Sequence, residues 1–467
     1  MKKIGELRKK YPEFIYKGYS YELKNNDLHI SFDFEVGDIR FKPKVVIKGS
    51  TAVAKAMASQ RGNAFDNLIF HLGLAEIPSY WKATASPKII IEAGSLNKAQ
   101  INWWHGLFIR GMGQYFCENN IDFRPKNFLK IESVSRLRPA TGSGLRRAEG
   151  GLSKILIPIG GGKDAVVTYE ILQQAGQNVR PFILNSKKEQ LAIIRVAKAN
   201  SPIIVQRTID EKLLELNQKG YLNGHTPFSS YLAFLTTFCA VLFDYKYIAL
   251  SNERSSNEGN VEYLGQTINH QYSKSFDFEK RFRAYSKKYL ARNVEYFSFL
   301  RPLYELQIAR IFAHYPKYFS AFLSCNEAHK TASGSKKPSG KWCGKCSKCL
   351  FVFASLYPFV EEKQLVNIFG ANLFEDELLI PLMEELVGSK RFKPFECVGT
   401  TSESLVAFYL CLRKTHPPLP VLLKHFRQHI AKKHPDLHES ARKIMSSWNR
   451  QHALPSNLEK SLRSMVN

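Results

Sequence analysis

Three consecutive glycines at 160–162, followed by Lys163 and Asp164, offer the most distinctive chemistry in this sequence. They separate an apolar run at 155–159 from a stretch with helical periodicity. Backbone N–H groups in a glycine turn form a concave anion site, and the N-terminus of the following helix adds a positive dipole. The spacing differs from the Walker loop, which requires Gly-Lys-Ser/Thr, and from the G-x-G-x-x-G loop. The segment predicts a site for phosphate or pyrophosphate; a tight turn without a ligand is the alternative.

Four cysteines have the spacing of a metal site. Cys343, Cys346 and Cys349 form two consecutive C-x-x-C steps, and Cys325 lies upstream as a fourth ligand. Four thiolates bind Zn²⁺ tetrahedrally, and each C-x-x-C step presents two of them from one turn. The lysines in this segment favour the thiolate form. We predict structural zinc; an iron–sulfur cluster or unliganded, redox-active thiols are the alternatives.

A third group of polar residues follows a predicted strand. Asn252, Glu253 and Arg254 come directly after the apolar run 247–250, and polar side chains at strand ends are site candidates. Two further stretches, 224–229 and 269–275, are also unusually polar. The residues of interest in those two stretches are His225, Thr226, His270 and Lys274.

The elements that must position these groups alternate between strands and helices. The apolar runs that read as strands are 155–159, 181–185, 202–205 and 247–250. Helix-like stretches separate them, which predicts an α/β fold with a doubly wound parallel sheet. Residues 19–48 alternate apolar and polar side chains instead, which predicts a β-hairpin or small meander with a turn at Asn25-Asn26.

A Gly-, Arg- and Ser-rich stretch at 138–151 is the predicted domain boundary. We expect a mixed α+β N-terminal domain over residues 1–148. A second domain, which carries the glycine turn, is expected over 149–400, with the zinc knuckle at 325–349. Residues 401–467 are expected to form a basic, helical C-terminal extension.

Composition limits the class of protein. A chain of 467 residues with 44% hydrophobic residues can bury sizeable cores, so it is globular rather than disordered. The formal charge of +26 attracts anions such as nucleic acid, anionic lipid or phosphate-rich small molecules. The N-terminus has no secretory pattern, and no apolar run is long enough to span a membrane. We expect a cytoplasmic protein; its oligomeric state cannot be inferred from sequence.

The glycine turn resembles the Ser-Gly-Gly-x-Asp-Ser loop of the PP-loop ATP pyrophosphatases. These enzymes bind ATP and release pyrophosphate after adenylating a substrate. Gly160 stands where that family has its first Ser, and Ala165 stands where it has the second, so one hydroxyl that helps to hold phosphate is absent. The cysteine pattern downstream of the loop resembles 7-cyano-7-deazaguanine synthase of the same group. The ATP-binding residues that this resemblance implies are Gly160, Gly161, Gly162, Lys163, Asp164 and Ala165.

Several longer segments resemble the MurL-type UDP-N-acetylmuramoyl-L-alanyl-L-glutamate epimerases. They are FHLGLAEIPSYWKA at 70–83, the polar stretches above and WCGKCSKCLFVFASLYPF at 342–359, and the resemblance spans roughly 67–400. It implies an enzyme of peptidoglycan precursor synthesis that inverts the terminal L-glutamate of UDP-MurNAc-L-Ala-L-Glu. The reaction would consume ATP, with Mg²⁺ neutralising the triphosphate, and release AMP and pyrophosphate through an acyl-adenylate.

Roles for individual side chains follow from that reaction. His270 and Glu253 are the candidates for proton transfer, with Glu258 behind them. Lys163 would neutralise the leaving group, and Asp164 would orient the loop or bind Mg²⁺. Two-base inversion can also use thiols, so Cys397 is an alternative base; a buried structural cysteine is its other interpretation. The residues assigned to substrate binding are His225, Thr226, Asn252, Arg254 and Lys274.

Two other functions are compatible with the same residues. One is a different PP-loop ATP pyrophosphatase that modifies RNA or forms a deazapurine, which the positive charge would suit. The other is a nucleic-acid-binding zinc protein without catalytic activity. Because the sequence contains no RNA-binding module signature, nucleic acid is the less favoured partner.

Overall fold

In a computed structural model the protein is described over residues 3–49, 63–134, 154–329, 339–390 and 393–466. The predicted boundary stretch at 138–151 lies outside these residues. The strands are β1 (Glu13–Lys24), β2 (Asp27–Val36), β3 (Ile39–Phe41), β4 (Lys44–Ile47), β5 (Lys88–Ile91), β6 (Lys130–Ser133), β7 (Ile155–Pro158), β8 (Val179–Leu184), β9 (Ile203–Thr208), β10 (Tyr247–Leu250), β11 (Val261–Tyr263), β12 (Gln266–Ile268) and β13 (Glu295–Ser298). The α-helices are α1 (Ile4–Lys10), α2 (Asn63–Trp81), α3 (Lys98–Gly111), α4 (Gly113–Glu118), α5 (Lys163–Gln174), α6 (Lys188–Val196), α7 (Glu211–Gln218), α8 (Phe228–Leu242), α9 (Phe276–Tyr289), α10 (Glu305–Phe312), α11 (Ser347–Leu356), α12 (Glu362–Phe369), α13 (Ile380–Leu386), α14 (Thr401–Lys414), α15 (Val421–His425), α16 (Leu437–Ser446) and α17 (Ser456–Arg463).

The strands after residue 154 form a parallel sheet of doubly wound order. Their spatial order is β9-β8-β7-β10-β13, and all four neighbouring pairs are parallel. The chain winds outward from β7 in one direction and then resumes from β7 in the other, so the switch point lies between β7 and β10. Ligands of such sheets bind at the carboxyl ends of the strands beside the switch point. The four apolar runs of the sequence each form one of these strands, as predicted.

The N-terminal strands continue the same sheet. β4 pairs antiparallel with β9, with Ile47 opposite Val205, and the order then runs β4-β2-β1-β5-β6, with β3 on the edge of β2. The result is a large, mostly parallel mixed sheet that crosses the expected boundary at residue 148. The sequence did not reveal this pairing, because it joins two strands separated by more than 150 residues.

The predicted N-terminal hairpin is present, and its turn explains the register. Asn25 and Asn26 both have positive φ angles, 51° and 64°, as a two-residue type I′ turn requires. Lys24 consequently faces Asp27, and the buried side of β2 carries the alternating apolar residues of the sequence. The turn therefore selects which face of this hairpin is buried.

Alternating residues of the central strands enter two separate hydrophobic cores. Leu156 and Ile248 pack with α2, α3, α8 and α9 on one face. Ile155, Ile157 and Ala249 pack on the other face with α5, α10, α11 and the C-terminal helices. Both faces of the parallel half are thus covered, so its strands are continuously apolar.

The described residues after 400 are largely helical. Prolines separate α14 from α15, α15 from α16 and α16 from α17, and all four helices contribute buried residues to the second core. Among the described residues, no helix is long and apolar enough to cross a bilayer.

A polar site at the switch point of the sheet

The glycine loop leaves the end of β7 and is shaped by a neighbouring segment. Gly161 has φ +98°, and a Cβ there would lie 2.7 Å from Cγ of Glu189 and 3.3 Å from the Leu323 carbonyl oxygen. The Leu323 N–H donates to the Gly161 carbonyl at 2.8 Å. Gly160 is exposed, and a Cβ there would meet no atom within 4 Å. Glycine at 161 is therefore required by packing, whereas Gly160 borders open space.

The N-terminus of α5 points its backbone donors toward this loop. Gly162 is the N-cap and has no side chain with which to satisfy the first N–H groups of the helix. Ala165 lies one turn inside and is 6% exposed, with its methyl group in the second hydrophobic core. The loop thus offers backbone donors and a helix dipole, the features that bind phosphate elsewhere.

Four charged residues, Lys163, Asp164, Glu305 and Lys348, form what we call the Gly-loop cluster. Lys163 is 2% exposed and is hydrogen-bonded to the carboxylates of both Asp164 and Glu305. Lys348 Nζ lies 3.7 Å from Glu305 Oε1. The Lys163 ammonium is therefore engaged inside the protein.

Burial and pairing set the protonation states in this cluster. Burial disfavours charge on Lys163 and Glu305, but their attraction outweighs it. The pKa of Lys163 is consequently raised above its usual value, and the pKa of Glu305 is lowered to about 2. Burial and repulsion from Glu305 raise the pKa of Asp164. Asp164 is thus the member of the cluster whose charge is least stabilised.

The polar residues after β10 differ in their surroundings. Asn252 donates to Ser298 Oγ at 3.1 Å. Arg254 donates to Ser447 Oγ at 2.8 Å, and its guanidinium lies 4.4 Å from the centroid of the Tyr304 ring. The predicted anion-binding arginine is therefore docked against the C-terminal part of the chain.

Glu253 is the buried acid of this loop, with 6% exposure. Within the described parts of the chain, its carboxylate accepts no hydrogen bond. Burial and repulsion from Glu305 and Asp164 raise its pKa to about 7, although Lys274 opposes the shift. A carboxyl group with a pKa near neutrality can both accept and donate a proton under cellular conditions.

One buried arginine fixes the loop that carries Glu253 relative to the loop that carries Lys274. Arg301 is fully buried and donates to the Glu253 carbonyl at 2.6 Å and to the Lys274 carbonyl. It also donates to Glu279 Oε2 at 3.2 Å. The two loops are therefore held as one unit.

Lys274 and His270 both contact Cys397, and Lys274 also interacts electrostatically with Glu253; we call these four residues the Cys397 cluster. Lys274 Nζ lies 3.1 Å from Cys397 Sγ, and His270 Nε2 lies 4.0 Å from the same sulfur. His270 is 5% exposed, and burial together with nearby His225 and Lys274 lowers its pKa to about 2. His270 is therefore a neutral imidazole.

The polar stretch 224–229 lies against the Cys397 cluster. The His225 and His270 rings are 6.0 Å apart, and burial together with Lys274 and Lys82 lowers the pKa of His225 to about 4. Thr226, which is half-buried, accepts a hydrogen bond through its carbonyl from the N–H of Phe228 at 2.7 Å. All three polar stretches of the sequence therefore contribute to one region.

The four predicted metal ligands converge, as expected. The sulfur atoms of Cys325, Cys343, Cys346 and Cys349 all lie within 4.8 Å of one another. Individual separations are 3.9 Å for Cys325–Cys346, 3.7 Å for Cys343–Cys349 and 3.5 Å for Cys346–Cys349. A tetrahedron with Zn–S bonds of ~2.3 Å has S–S edges of ~3.8 Å. The donor set thus fits one tetrahedral metal ion.

This cysteine cluster is built into the wall of the site. Leu323, two residues before Cys325, is bonded to the glycine loop, and Ser324 Cβ would lie 3.3 Å from a Cβ at Gly162. On the other side, Cys346 is the N-cap of α11. That helix begins with the turn that carries Lys348 to Glu305 and to the Cys397 carbonyl. Metal binding would therefore order both clusters.

Several residues of the site were missed in the sequence. Arg301 follows the mostly apolar stretch 296–300 and so carries a strand-end signal like that of Asn252, whereas Glu305 lies at the start of the next helix. Lys348 was overlooked because it lies between two predicted metal ligands, Cys346 and Cys349. Asn260, which accepts hydrogen bonds from His270, carries no local signal at all.

The fold and the site define a class: an α/β protein with buried charged residues at the switch point of its sheet and an adjoining knuckle of four cysteines. Known sequences make this class more specific. The MurL N-terminal domain family matches residues 6–299, and the MurL C-terminal domain family matches residues 321–441.

Three relatives carry the name UDP-N-acetyl-alpha-D-muramoyl-L-alanyl-L-glutamate epimerase. The one from Micromonospora sp. is 32% identical over 415 residues, which cover 87% of this chain and 88% of the relative. The one from Salinispora tropica is 30% identical over 414 residues, covering 87% and 86%. The one from Xanthomonas oryzae pv. oryzae is 31% identical over 373 residues, covering 79% and 80%. The chain therefore belongs to the MurL family.

Proposed function

We propose that this protein is an ATP-dependent epimerase that converts the terminal L-glutamate of UDP-MurNAc-L-Ala-L-Glu to D-glutamate for peptidoglycan synthesis. The names of the relatives support the substrate and the inversion. The observation that carries the proposal is the continuity of the site. Lys348 contacts Glu305 of the Gly-loop cluster and the carbonyl of Cys397, so the loop that we propose binds the nucleotide adjoins the groups that we propose transfer protons.

Consumption of ATP would make the α-proton of glutamate easier to remove. The α-proton of glutamate is hard to remove while the neighbouring carboxylate is ionised, because a second negative charge would form beside the first. Attack of that carboxylate on the α-phosphorus of ATP forms an acyl-adenylate and releases pyrophosphate. The esterified carbonyl then accepts the electron pair of the C–H bond. Water later cleaves the acyl-adenylate to the carboxylate and AMP.

The glycine loop is the proposed nucleotide site, in a domain of PP-loop type. Residues 160–162 and the first N–H groups of α5 would hold the pyrophosphate, and Ala165 contributes only its backbone. Lys163 would act within the protein, by holding Asp164 and Glu305 in place. Asp164 has the carboxylate suited to Mg²⁺, whose charge would stabilise the ionised form of this acid.

Proton transfer is assigned to the Cys397 cluster. Glu253 combines burial, a pKa of about 7 and a carboxylate without a hydrogen-bond donor, as a general acid–base group requires. His270 is neutral and lies 4.0 Å from Cys397 Sγ in the same cluster. Lys274, Asn252, His225 and Thr226 remain the proposed contacts for the substrate, with Arg254 at the edge of the site.

Zinc is the metal we propose for the four cysteines, in a structural role. Four thiolates leave no open position, so the ion would supply stability and not Lewis-acid chemistry. Leu323 is hydrogen-bonded to the glycine loop and Lys348 to the Cys397 carbonyl, so an ordered knuckle would hold both segments in position.

The test is AMP release by the zinc-loaded protein with ATP, Mg²⁺ and UDP-MurNAc-L-Ala-L-Glu in deuterated water. UDP-MurNAc-L-Ala, which lacks the glutamate, is the control substrate. We expect AMP only with the dipeptide, deuterium at the glutamate α-carbon, and D-glutamate after hydrolysis. A folded protein that releases no AMP with the dipeptide would contradict the proposal.

A further inference from the structure

Cys397 differs from the other cysteines of the described chain in its surroundings. Four of them form the metal cluster, and Cys239 and Cys411 are fully buried in hydrophobic cores. Cys397 is half-buried, with its sulfur 3.1 Å from the Lys274 ammonium. A cation at this distance stabilises a thiolate, which is the basic and nucleophilic form of cysteine.

The hydrogen bonds around His270 determine which of its nitrogens faces the sulfur. Asn260 Nδ2 donates to the Pro394 carbonyl at 2.8 Å, so the Asn260 oxygen points the other way, toward His270. That oxygen lies 2.8 Å from His270 Nδ1 and also accepts the His270 backbone N–H. Nδ1 therefore carries the proton, and Nε2 presents its lone pair to Cys397 Sγ at 4.0 Å.

Contact between His270 and Cys397 limits what the two can do. Inversion at a carbon needs one group to remove the proton and another to return it on the opposite face. Two side chains in contact reach the same face, so His270 and Cys397 together provide only one of these groups. Glu253, which interacts with Lys274 and with Asp164 of the glycine loop, is the candidate for the other.

We propose that the thiolate of Cys397, paired with the Lys274 ammonium, is the group that exchanges the glutamate α-proton on one face, with His270 Nε2 as the hydrogen-bond acceptor of the S–H group that forms. This inference rests on the proposed epimerase function and names a catalytic residue for it. In the L-to-D direction the C–H bond breaks, an S–H bond forms, and the electron pair moves into the carbonyl of the acyl-adenylate. Protonated Glu253 then donates its proton to the opposite face. Cys397 then loses its proton to water and Glu253 regains one from water, so the enzyme returns to its starting state.

The test compares Cys397→Ala with Cys117→Ala, because Cys117 is also half-buried and lies outside the metal cluster. Two rates are measured with the dipeptide substrate: AMP release and deuterium incorporation at the α-carbon. We expect Cys397→Ala to lose roughly 10²–10⁴-fold in deuterium incorporation, the usual contribution of one general base. Its AMP release should stay within a few-fold of wild type, as should both rates in Cys117→Ala.

The outcomes separate this inference from the proposed function. If the wild-type protein released no AMP, the proposed epimerase function itself would be contradicted. Deuterium incorporation by Cys397→Ala at the rate of Cys117→Ala would overturn the inference alone, as would a substrate thioester on Cys397 detected by mass spectrometry. Unchanged zinc content in both variants serves as the check on folding.

A second measurement needs no catalytic activity. Alkylation of Cys397 by iodoacetamide, followed at neutral pH by peptide mass spectrometry, should be at least about 10-fold slower in Lys274→Met than in wild type, because only the thiolate reacts. Equal alkylation rates in the two proteins would contradict the thiolate–ammonium pair.

Discussion

The Gly-loop cluster and the Cys397 cluster lie side by side, yet their charges are satisfied differently. In the Gly-loop cluster, Lys163 is bonded to two carboxylates, and Lys348 adds a second cation to Glu305. In the Cys397 cluster, the Glu253 carboxylate has no hydrogen-bond donor among the described residues, and the Cys397 sulfur is half-buried. Charged groups that are paired within the protein keep their neighbours in fixed positions. A carboxylate without a hydrogen-bond donor is available to exchange protons. This difference supports our proposal that one cluster organises the nucleotide and the other performs the inversion.

The largest expected effect comes from removing the support that both clusters share. Cys346→Ser should abolish metal binding and cost on the order of 5 kcal/mol or more of folding stability, because structural zinc sites contribute strongly to folding. Zinc content and soluble yield are the measurements, with Cys117→Ala as control. A stable Cys346→Ser protein without zinc, with both clusters still active, would show that the knuckle is dispensable.

Breaking the pairing of the Gly-loop cluster should come next. Lys163→Met removes the buried cation that Asp164 and Glu305 share and leaves Glu305 with Lys348 alone; removing one partner of a buried ion pair costs about 3–5 kcal/mol of unfolding free energy. Adding Glu305→Gln removes one of the uncompensated charges, so the double variant should recover part of that loss. Denaturant unfolding measures both. A double variant less stable than Lys163→Met would contradict the structural role of the pair.

A smaller, local effect is expected at the glycine loop. Gly161→Ala introduces a methyl group 2.7 Å from the Glu189 side chain on a backbone with φ +98°. The loop must shift, and we expect about a 100-fold loss of AMP release, equivalent to ~2.7 kcal/mol. Gly176→Ala is the matched control, since it has φ +69° but no atom within 4 Å of the added methyl. Equal activities in the two variants would mean that the loop does not bind the nucleotide.

The smallest predicted effect concerns the pH dependence of stability. The Glu253 pKa is about 7 in the folded protein and close to 4.5 in the unfolded chain, so the folded state holds the proton more tightly. Stability is therefore lost as pH rises from about 4.5 to 7, and the penalty persists above pH 7. Glu253→Gln should remove this loss and gain on the order of 2 kcal/mol relative to wild type between pH 5 and pH 8. Parallel pH profiles of unfolding for the two proteins would contradict the buried, proton-holding carboxyl.

Features encoded by local spacing were accessible from the sequence. The glycine turn, the Cys-x-x-Cys steps and the four parallel strands each follow from residues that are neighbours in the chain. Features that depend on tertiary proximity were not. Lys274 and Cys397 are separated by 123 positions, and nothing in either neighbourhood distinguishes a reactive thiol from a buried one. Arg301 and Glu305 do follow a strand, but the partners that make them part of the site lie in distant segments, as do the two strands of the β4–β9 pairing.

The division of labour between the two clusters is tested most directly by measuring AMP release and α-carbon deuterium incorporation in Gly161→Ala and Cys397→Ala side by side. A change in the nucleotide site should slow both rates together, because no α-proton is removed before the acyl-adenylate forms. A change in the proton-transfer site should slow deuterium incorporation alone. We therefore expect the ratio of deuterium to AMP to stay near the wild-type value in Gly161→Ala and to fall at least about 100-fold in Cys397→Ala. An unchanged ratio in both variants would contradict the account.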